Sequence, residues 1–536
     1  MANQEHHKFC IIIGAGPGGL IQAAELLRQK ALQANDIQIL ERNDDYGGVW
    51  KRATYPGAAC DVFSCLYQVS WHRNPDWQCL FPSRSELIGY YKNFAKHYGL
   101  SACTSFGQHA VRVTWATEKS LWIVETKDSE SRNYRRWTSR VLVQAVGTFS
   151  QKHTPAIAGL DRFKGEVWHA ADWPEDYDFT NKAVAYVGTG PTLVQALPHM
   201  QAKANLVHVF CRSMAYCQPM PNFEYPLWAR RAFRWTPGLL RIYAFILANA
   251  FFIWLYFAYR PGSWTARLTE RGCRWYLYRE VSDEHLLSIL TPAGRFGSKR
   301  PLVSYSGFFK ALQKDNVRVI NCPIVAMDEF GLIVETPRSR HSKRRIEVLK
   351  RDEDHTEEIQ SMNQTIHVQA DVLIWGTGFK VQEWGGTVPT IGRTGETLRE
   401  HWDHYPNTLY GTMTSGFPNL FFINGPNTTP PWASPIQGFE LQAALNTKAI
   451  RHIHQRSLKC PIYSLEPRKE KEEAWTEAIK AHLNKLATSP SHDPTNYYLN
   501  KQGQNTFFWP WSHTYYWWKV RQFRLLDYME NCKSLN

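Results

Sequence analysis

The stretch Phe163-Lys-Gly165-Glu-Val-Trp-His169-Ala-Ala-Asp-Trp173-Pro174, spaced F-x-G-x-x-x-H-x-x-x-W-P, lies between two glycine-rich turns. The first turn is Gly14-Ala-Gly16-Pro-Gly18-Gly19 and the second is Gly188-Thr-Gly190. A glycine turn that closes a strand and opens a helix lets the backbone approach a pyrophosphate. The helix N-terminus adds free N–H groups and a favourable dipole. Two such turns around one spaced motif make that motif the joint between two dinucleotide-binding units. The fold class expected is therefore α/β, with two Rossmann-like domains.

A lone G-x-G-x-x-G carries little weight, but the first turn has its full context. Phe9 to Ile13 is an apolar run of the kind that forms a buried parallel strand. Gly14, Gly16 and Gly19 take the three glycine positions, Ile21 to Gln33 reads as a helix, and Ile37 to Leu40 reads as a second strand ending in Glu41. A carboxylate at that place binds ribose hydroxyls, which points to FAD or a related dinucleotide.

The second turn follows the strand-like Ala183 to Val187 and continues through Thr192 and Gln195 into a helix. Leu193 stands where a small residue normally lets helix and strand pack closely, which weakens the turn, whereas Pro191 suits a helix start. After the next strand, Leu206 to Cys211, the chain has Arg212-Ser213 in place of an acid. Arg212 with Lys299 suits the 2'-phosphate of NADP, so NADPH is preferred to NADH.

The length of 536 residues calls for two or three domains, and 43% hydrophobic with 21% charged residues is ordinary for a globular enzyme. A net charge of +14 suits anionic partners, but no compact basic motif points to nucleic acid, and attraction of phosphorylated cofactors is the milder reading. Eleven scattered cysteines form no disulfide framework and no metal-ligand spacing. They imply a reducing, cytoplasmic setting, and the polar Met1 to Lys8 leaves no room for a secretory signal. Cys60 and Cys65 have the four-residue gap of a redox pair, yet Cys60 comes twelve residues after Gly48, so both are read as core thiols.

Ile242 to Tyr259 holds no charge over 18 residues, close to a bilayer span. It sits between Arg212 and Lys299, two parts of one nucleotide unit that must lie on the same side of any membrane. A helix of an inserted subdomain, buried or partly exposed, is the first reading, and one lying in a membrane interface is the second. The mixed-charge run Arg338 to Gln360 reads as a solvated hairpin insertion.

The motif from Phe163 to Pro174 and a second one, G-G-x-W-x-x-x-x-Y-P-G-x-x-x-D from Gly47 to Asp61, resemble those of the Baeyer-Villiger monooxygenases, flavin enzymes that turn ketones into esters or lactones. The resemblance runs from Phe9 to about Leu525 and is closest to branches of fungal secondary metabolism. It implies an FAD domain from both chain ends (1–152 and 381–536), an NADP domain inserted in it (153–217 and 294–380), and a helical insertion at 218–293. It makes Arg300 catalytic, with Asp61 as its orienting partner. It assigns cofactor contact to Gly48, Trp50, Tyr55, Tyr67, Thr192, Gln195, Ser213 and Asn427, and marks Phe163, Gly165, His169 and Trp173 as the hallmark. The reaction it implies has NADPH reduce FAD and a flavin peroxide attack a bulky apolar ketone or aldehyde, with O2 as co-substrate. Tyr497 falls about where the family often has a cofactor-contacting Trp, and Trp511 replaces a usual glycine, so the mouth of the site is expected to be unusual or simply packed.

Other readings remain open at this point. The same flavin chemistry serves N- or S-oxygenation and epoxidation, and a membrane-associated flavin redox protein would keep both turns without oxygenase activity.

Overall fold

The computed structural model describes residues 5–304, 307–335, 365–493 and 496–533, so the run Arg338 to Gln360 lies outside the described residues. Two sheets organise the chain. In the first, β1 (Glu5–Ile13) and β2 (Ile37–Leu40) are parallel neighbours joined through helix α1 (Pro17–Arg28). β3 (Gln108–Ala116), β4 (Leu121–Asp128) and β5 (Tyr134–Gln144) form an antiparallel meander, whose last strand returns parallel to β1. Thr390–Ile391 joins β3 and Leu420–Phe422 joins β5, both parallel, so late segments of the chain complete the early sheet.

The second sheet is wholly parallel. It contains β6 (Glu166–His169), β7 (Ala183–Val187), β8 (Leu206–Phe210), β9 (Val317–Ile320) and β10 (Val372–Trp375), in the order β9-β8-β7-β10-β6. Both sheets bury continuous apolar runs, as strands covered on both faces must: Ile11 and Ile12, like Val184 and Ala185, have no exposed surface. The fold is the expected α/β pair of dinucleotide-binding units.

Register places the two glycine turns. Ile13 lies opposite Leu40 and Gln144, so Gly14 leaves the sheet at its carboxyl edge beside Ala145. Val187 lies opposite Phe210 and Trp375, so Gly188 leaves the second sheet in the same way, and helix α2 (Pro191–Gln201) starts from Gly190. Ligands of open parallel sheets bind at such edges.

Between the short strands Cys217–Pro219 and Leu302–Ser304, which pair in parallel, four helices are inserted. They are α3 (Leu227–Trp235), α4 (Leu239–Ala258), α5 (Trp264–Glu280) and α6 (Glu284–Leu290).

Two local features stand beside one corrected expectation. Leu193 is fully buried in the core of the second unit, and at the start of the turn Gly188 makes the close approach, where a Cβ would lie 2.3 Å from the carbonyl oxygen of Gly376. Phe308–Leu312 forms a short helix that ends there, because Asn316 turns to donate to the carbonyls of Gln201 and Ala204 and Val317 begins a strand. The cysteines are not all reduced: Cys460 and Cys532 are bridged, joining the ends of the antiparallel strands Ile462–Pro467 and Tyr528–Lys533. Cys60 and Cys65 are free, buried core thiols, and burial pushes the Cys65 thiol up to about 12.

Candidate active site

Both carboxyl edges open into one connected cavity of about 1060 Å³. That exceeds the usual single-ligand range of about 300–1,000 Å³. Gly14, Gly16, Glu41, Gly48, Trp50, Tyr55, Asp61 and Tyr67 line it from the first unit. Gly188, Gly190, Thr192, Gln195, Arg212, Ser213, Lys299 and Arg300 line it from the second. Gly19 is absent from the lining because it faces the other way: a Cβ there would lie 1.9 Å from the carbonyl oxygen of Gly14, so its role is to let α1 seat on β1.

The first turn has the form of a dinucleotide cradle. Gly48, at φ +56°, faces Gly16 so closely that a Cβ would come within 2.8 Å of the Gly16 Cα. Glu41 is buried and fixed: its Oε2 accepts from the Ala15 N–H at 2.6 Å, and its Oε1 accepts from Asn43 N at 2.9 Å. The carboxylate is thereby held at the edge of β2, where its remaining lone pairs can take ribose hydroxyls. Trp50 Nε1 donates to the Tyr67 hydroxyl at 3.1 Å, with the two rings edge to face. FAD fits this arrangement.

At the second turn, Lys299 Nζ donates to Ser213 Oγ at 2.5 Å, and Thr189 Oγ1 donates to the Ser213 carbonyl. Arg212 is exposed beside them. Two cations and a hydroxyl at the end of the second strand suit a phosphate on the ribose, and NADP fits better than NAD.

The two units meet at Arg300. Its Nη2 donates to Asp61 Oδ2 at 2.5 Å, across 239 residues of sequence. The Arg300 side chain keeps 39% of its surface accessible, and it lines the cavity. The Asp61 charge is the main cause that raises the Arg300 pKa, and burial opposes it. The result is a permanent cation, anchored by Asp61 in the cavity wall. Such a group stabilises a developing oxyanion.

The hallmark motif is structural mortar around this centre. His169 Nδ1 accepts from the Ala171 N–H, which leaves the Nε2 proton to be donated to the Gly378 carbonyl at 2.9 Å. Burial lowers the His169 pKa, so the ring is neutral and keeps that tautomer. Trp173 is buried against Tyr55 and Phe179, and its carbonyl accepts from Thr54 Oγ1. Gly165 has Phe163 folded over it, where a Cβ would lie 2.4 Å from the ring. Gln195 is also a tie between units: its Oε1 accepts from the Tyr55 hydroxyl and the Ala59 N–H, and its Nε2 donates to the Ala59 carbonyl.

Besides Gly19, Asn427 misses the cavity. Asn427 is 3% exposed, and its amide donates to the Asn505 and Phe508 carbonyls while its oxygen accepts from Tyr405. Asn424 and Thr429, on either side of it, line the cavity instead. Tyr497 does line the cavity, and its hydroxyl both donates to the Phe379 carbonyl and accepts from the Phe379 N–H. Trp511 packs among Trp475, His482 and Trp509, outside the lining.

Sequence reasoning passed over Tyr498, which accepts a hydrogen bond from Arg300. It also passed over a wall of the cavity formed by Phe251, Phe252, Leu255 and Tyr259 of α4 and its C-cap. The i, i+4, i+8 spacing of 251, 255 and 259 was the available signal for that face.

A site in which two dinucleotide cradles share one cavity with an anchored arginine defines a two-nucleotide flavoprotein oxidoreductase. A family model described as flavin-binding monooxygenase-like matches residues 7–219. An FAD-binding monooxygenase of Botryotinia fuckeliana is 32% identical over 96% of this chain and 92% of its own. The chain belongs to the flavin-binding monooxygenase-like family. A Baeyer-Villiger monooxygenase of Streptomyces coelicolor is 29% identical over 97% of this chain and 92% of its own. A closed crystal structure of cyclohexanone monooxygenase shares the fold, with a TM-score of 0.81 at 21% identity, covering 99% of this chain and all of the other.

Proposed function

We propose that this chain is an FAD- and NADPH-dependent Baeyer-Villiger monooxygenase that inserts one oxygen atom from O2 beside the carbonyl of a bulky apolar ketone, giving an ester or lactone. The observation that carries the reading is the Arg300–Asp61 pair, set in the cavity wall where the two glycine turns converge. Gly14, Gly16, Glu41, Gly48, Trp50 and Tyr67 would hold FAD, with residues 1–152 and 381–536 as its domain. Gly188, Gly190, Thr192, Arg212, Ser213 and Lys299 would hold NADP, with 153–217 and 294–380 as the second domain and 218–293 as the helical insertion.

FAD held there would supply hydride acceptance from NADPH and the activation of dioxygen. The residues of the chain do the rest. Asp61 fixes one edge of the Arg300 guanidinium, so that its other N–H groups point into the cavity without reorganisation when charge develops on the carbonyl oxygen. His169 holds the Gly378 turn, and with it the cavity floor. Phe251, Phe252 and Leu255 exclude water from the reacting carbonyl, which strengthens the field of the arginine.

The apolar wall supports a lipophilic substrate such as a secondary metabolite, and the proposed setting is the cytoplasm, with residues 242–259 meeting a membrane surface. The test of the reaction is incubation with NADPH, 18O2 and a panel of apolar ketones. The expected product is an ester or lactone that carries one labelled oxygen. Labelled N- or S-oxides from heteroatom substrates, with no ester from any ketone, would replace this reading with heteroatom oxygenation.

A further inference from the structure

The helical insertion presents an apolar face that nothing in the chain covers among the described residues. On α4, Ile242, Phe245, Ile246, Ile253 and Phe257 form one exposed stripe, with Phe245 69% accessible. The opposite stripe of the same helix, Phe251, Leu255 and the following Tyr259, walls the cavity. Helices α3 and α5 flank it with a mixed pattern: Trp228, Arg231 and Trp235 share one face of α3, and Trp264, Arg267, Arg271 and Trp275 share one face of α5. Trp235 is 76% accessible.

We infer that this outer face of α3, α4 and α5 docks on an anionic lipid bilayer and holds the enzyme in the plane of the membrane interface. The inference rests on the reading that residues 242–259 meet a membrane, and it adds the face, the lipid charge and the depth. Charge supplies the occupant. Between residues 227 and 280 nine arginines stand against two glutamates; Arg234 pairs with Asp76 and Arg274 bonds to Tyr216, while Arg231, Arg267 and Arg271 are exposed. Arginines beside an apolar stripe pair with lipid phosphates while the stripe enters the acyl boundary, and tryptophan is favoured at that depth because its ring is apolar and its N–H is polar.

A second copy of this chain would bring the same arginines face to face, which like charges oppose. A crossing of the bilayer conflicts with the topology, since Cys217–Pro219 before the insertion pairs with Leu302–Ser304 after it. The docked helix is also the cavity wall, so an apolar ketone dissolved in lipid lies one helix away from Arg300.

The test is cosedimentation of the FAD-loaded protein with vesicles of phosphatidylcholine alone and of phosphatidylcholine containing phosphatidylserine. Binding to the anionic vesicles about tenfold tighter than to neutral ones, and weakened by salt, is expected. Phe245→Glu with Ile246→Glu should abolish binding to both. Arg231→Ser with Arg267→Ser and Arg271→Ser should remove the preference for anionic lipid. Unchanged FAD content and NADPH-driven flavin reduction would show that the variants are folded.

Equal binding to both vesicle types would overturn the anionic surface and leave the membrane reading standing. Binding to neither would overturn both. Self-association that the Phe245→Glu and Ile246→Glu pair disrupts, without vesicle binding, would assign the face to a second copy and overturn the inference. Vesicle binding is read without turnover, so each of these results is independent of the proposed oxygenation.

Discussion

The two glycine turns solve the same problem with different resources. In the first, Gly14 sits at φ +108° with its Cβ position 2.5 Å from the Ala145 carbonyl oxygen, and the acid Glu41 is locked into the turn by backbone donors. In the second, Gly188 takes φ +126° against Gly376, a buried Leu193 replaces the third small residue, and the charge at the following strand end is cationic. The backbone geometry needed for a pyrophosphate is common to both. The sign of the charge beside the ribose is what differs, and it divides the labour between a flavin and a phosphorylated nicotinamide cofactor.

The largest effect is expected where the two units join. Arg300→Ala should lower oxygenated product by about 10²–10³-fold, as loss of a preorganised oxyanion donor does, while FAD stays bound and NADPH still reduces it. Hydrogen peroxide should take the place of the product, and Asp61→Asn should show the same pattern more mildly. Normal product yield in Arg300→Ala, measured beside oxygen consumption, would remove the pair from the mechanism.

The turns themselves should differ in tolerance. Gly14→Ala forces a side chain into positive φ, worth roughly 1–3 kcal/mol of strain, and adds a clash with the Ala145 carbonyl. The variant should purify with little FAD and a lowered Tm. Gly190→Ala meets nothing within 4 Å and has φ −80°, so it should keep its FAD and its Tm and raise only the KM for NADPH. Equal loss of Tm in both variants would show that the second turn is as tightly packed as the first.

Charge beside the second turn can be tested by cofactor choice. A hydrogen bond to a charged group contributes about 1.5–3 kcal/mol, and Arg212 is exposed, so Arg212→Ala should raise the KM for NADPH by about tenfold and leave that for NADH unchanged. A similar rise for both cofactors would place Arg212 on the pyrophosphate instead.

The smallest effect concerns helix α7 (Pro435–Ser457), which packs on α1 behind the first turn. Burial raises the Glu440 carboxyl from 4.5 to about 7, although Ser70 donates to it from both its N–H and its hydroxyl. The folded state therefore holds the proton more tightly than the unfolded chain does. Its contribution to stability is complete below about 4.5 and declines as pH rises toward about 7. Glu440→Gln should flatten the Tm profile across that window. An unchanged profile would mean that the carboxyl stays ionised in place.

Local chemistry was legible in the chain because it depends on residues near one another in sequence. The runs ending at Gly14 and Gly188, the acid at Glu41 and the cation at Arg212 fixed two nucleotide units and the preference between their cofactors. The hallmark from Phe163 to Pro174 marked their joint. What the sequence could not supply was long-range placement. Asn427 carries the residue type of a cofactor contact, yet the fold turns its amide to Asn505 and Phe508, and Asn424 and Thr429 on either side face the cavity. The inner stripe of α4 entered the site because the insertion folds back over the first unit, and Tyr498 because the C-terminal segment returns to the cavity. Cys460 met Cys532 because two late strands pair. In each case a side chain's partner is set by packing across tens to hundreds of residues, and periodicity reports only which face is apolar. Whether that face meets a cavity, a core or a lipid surface is decided by the tertiary structure around it.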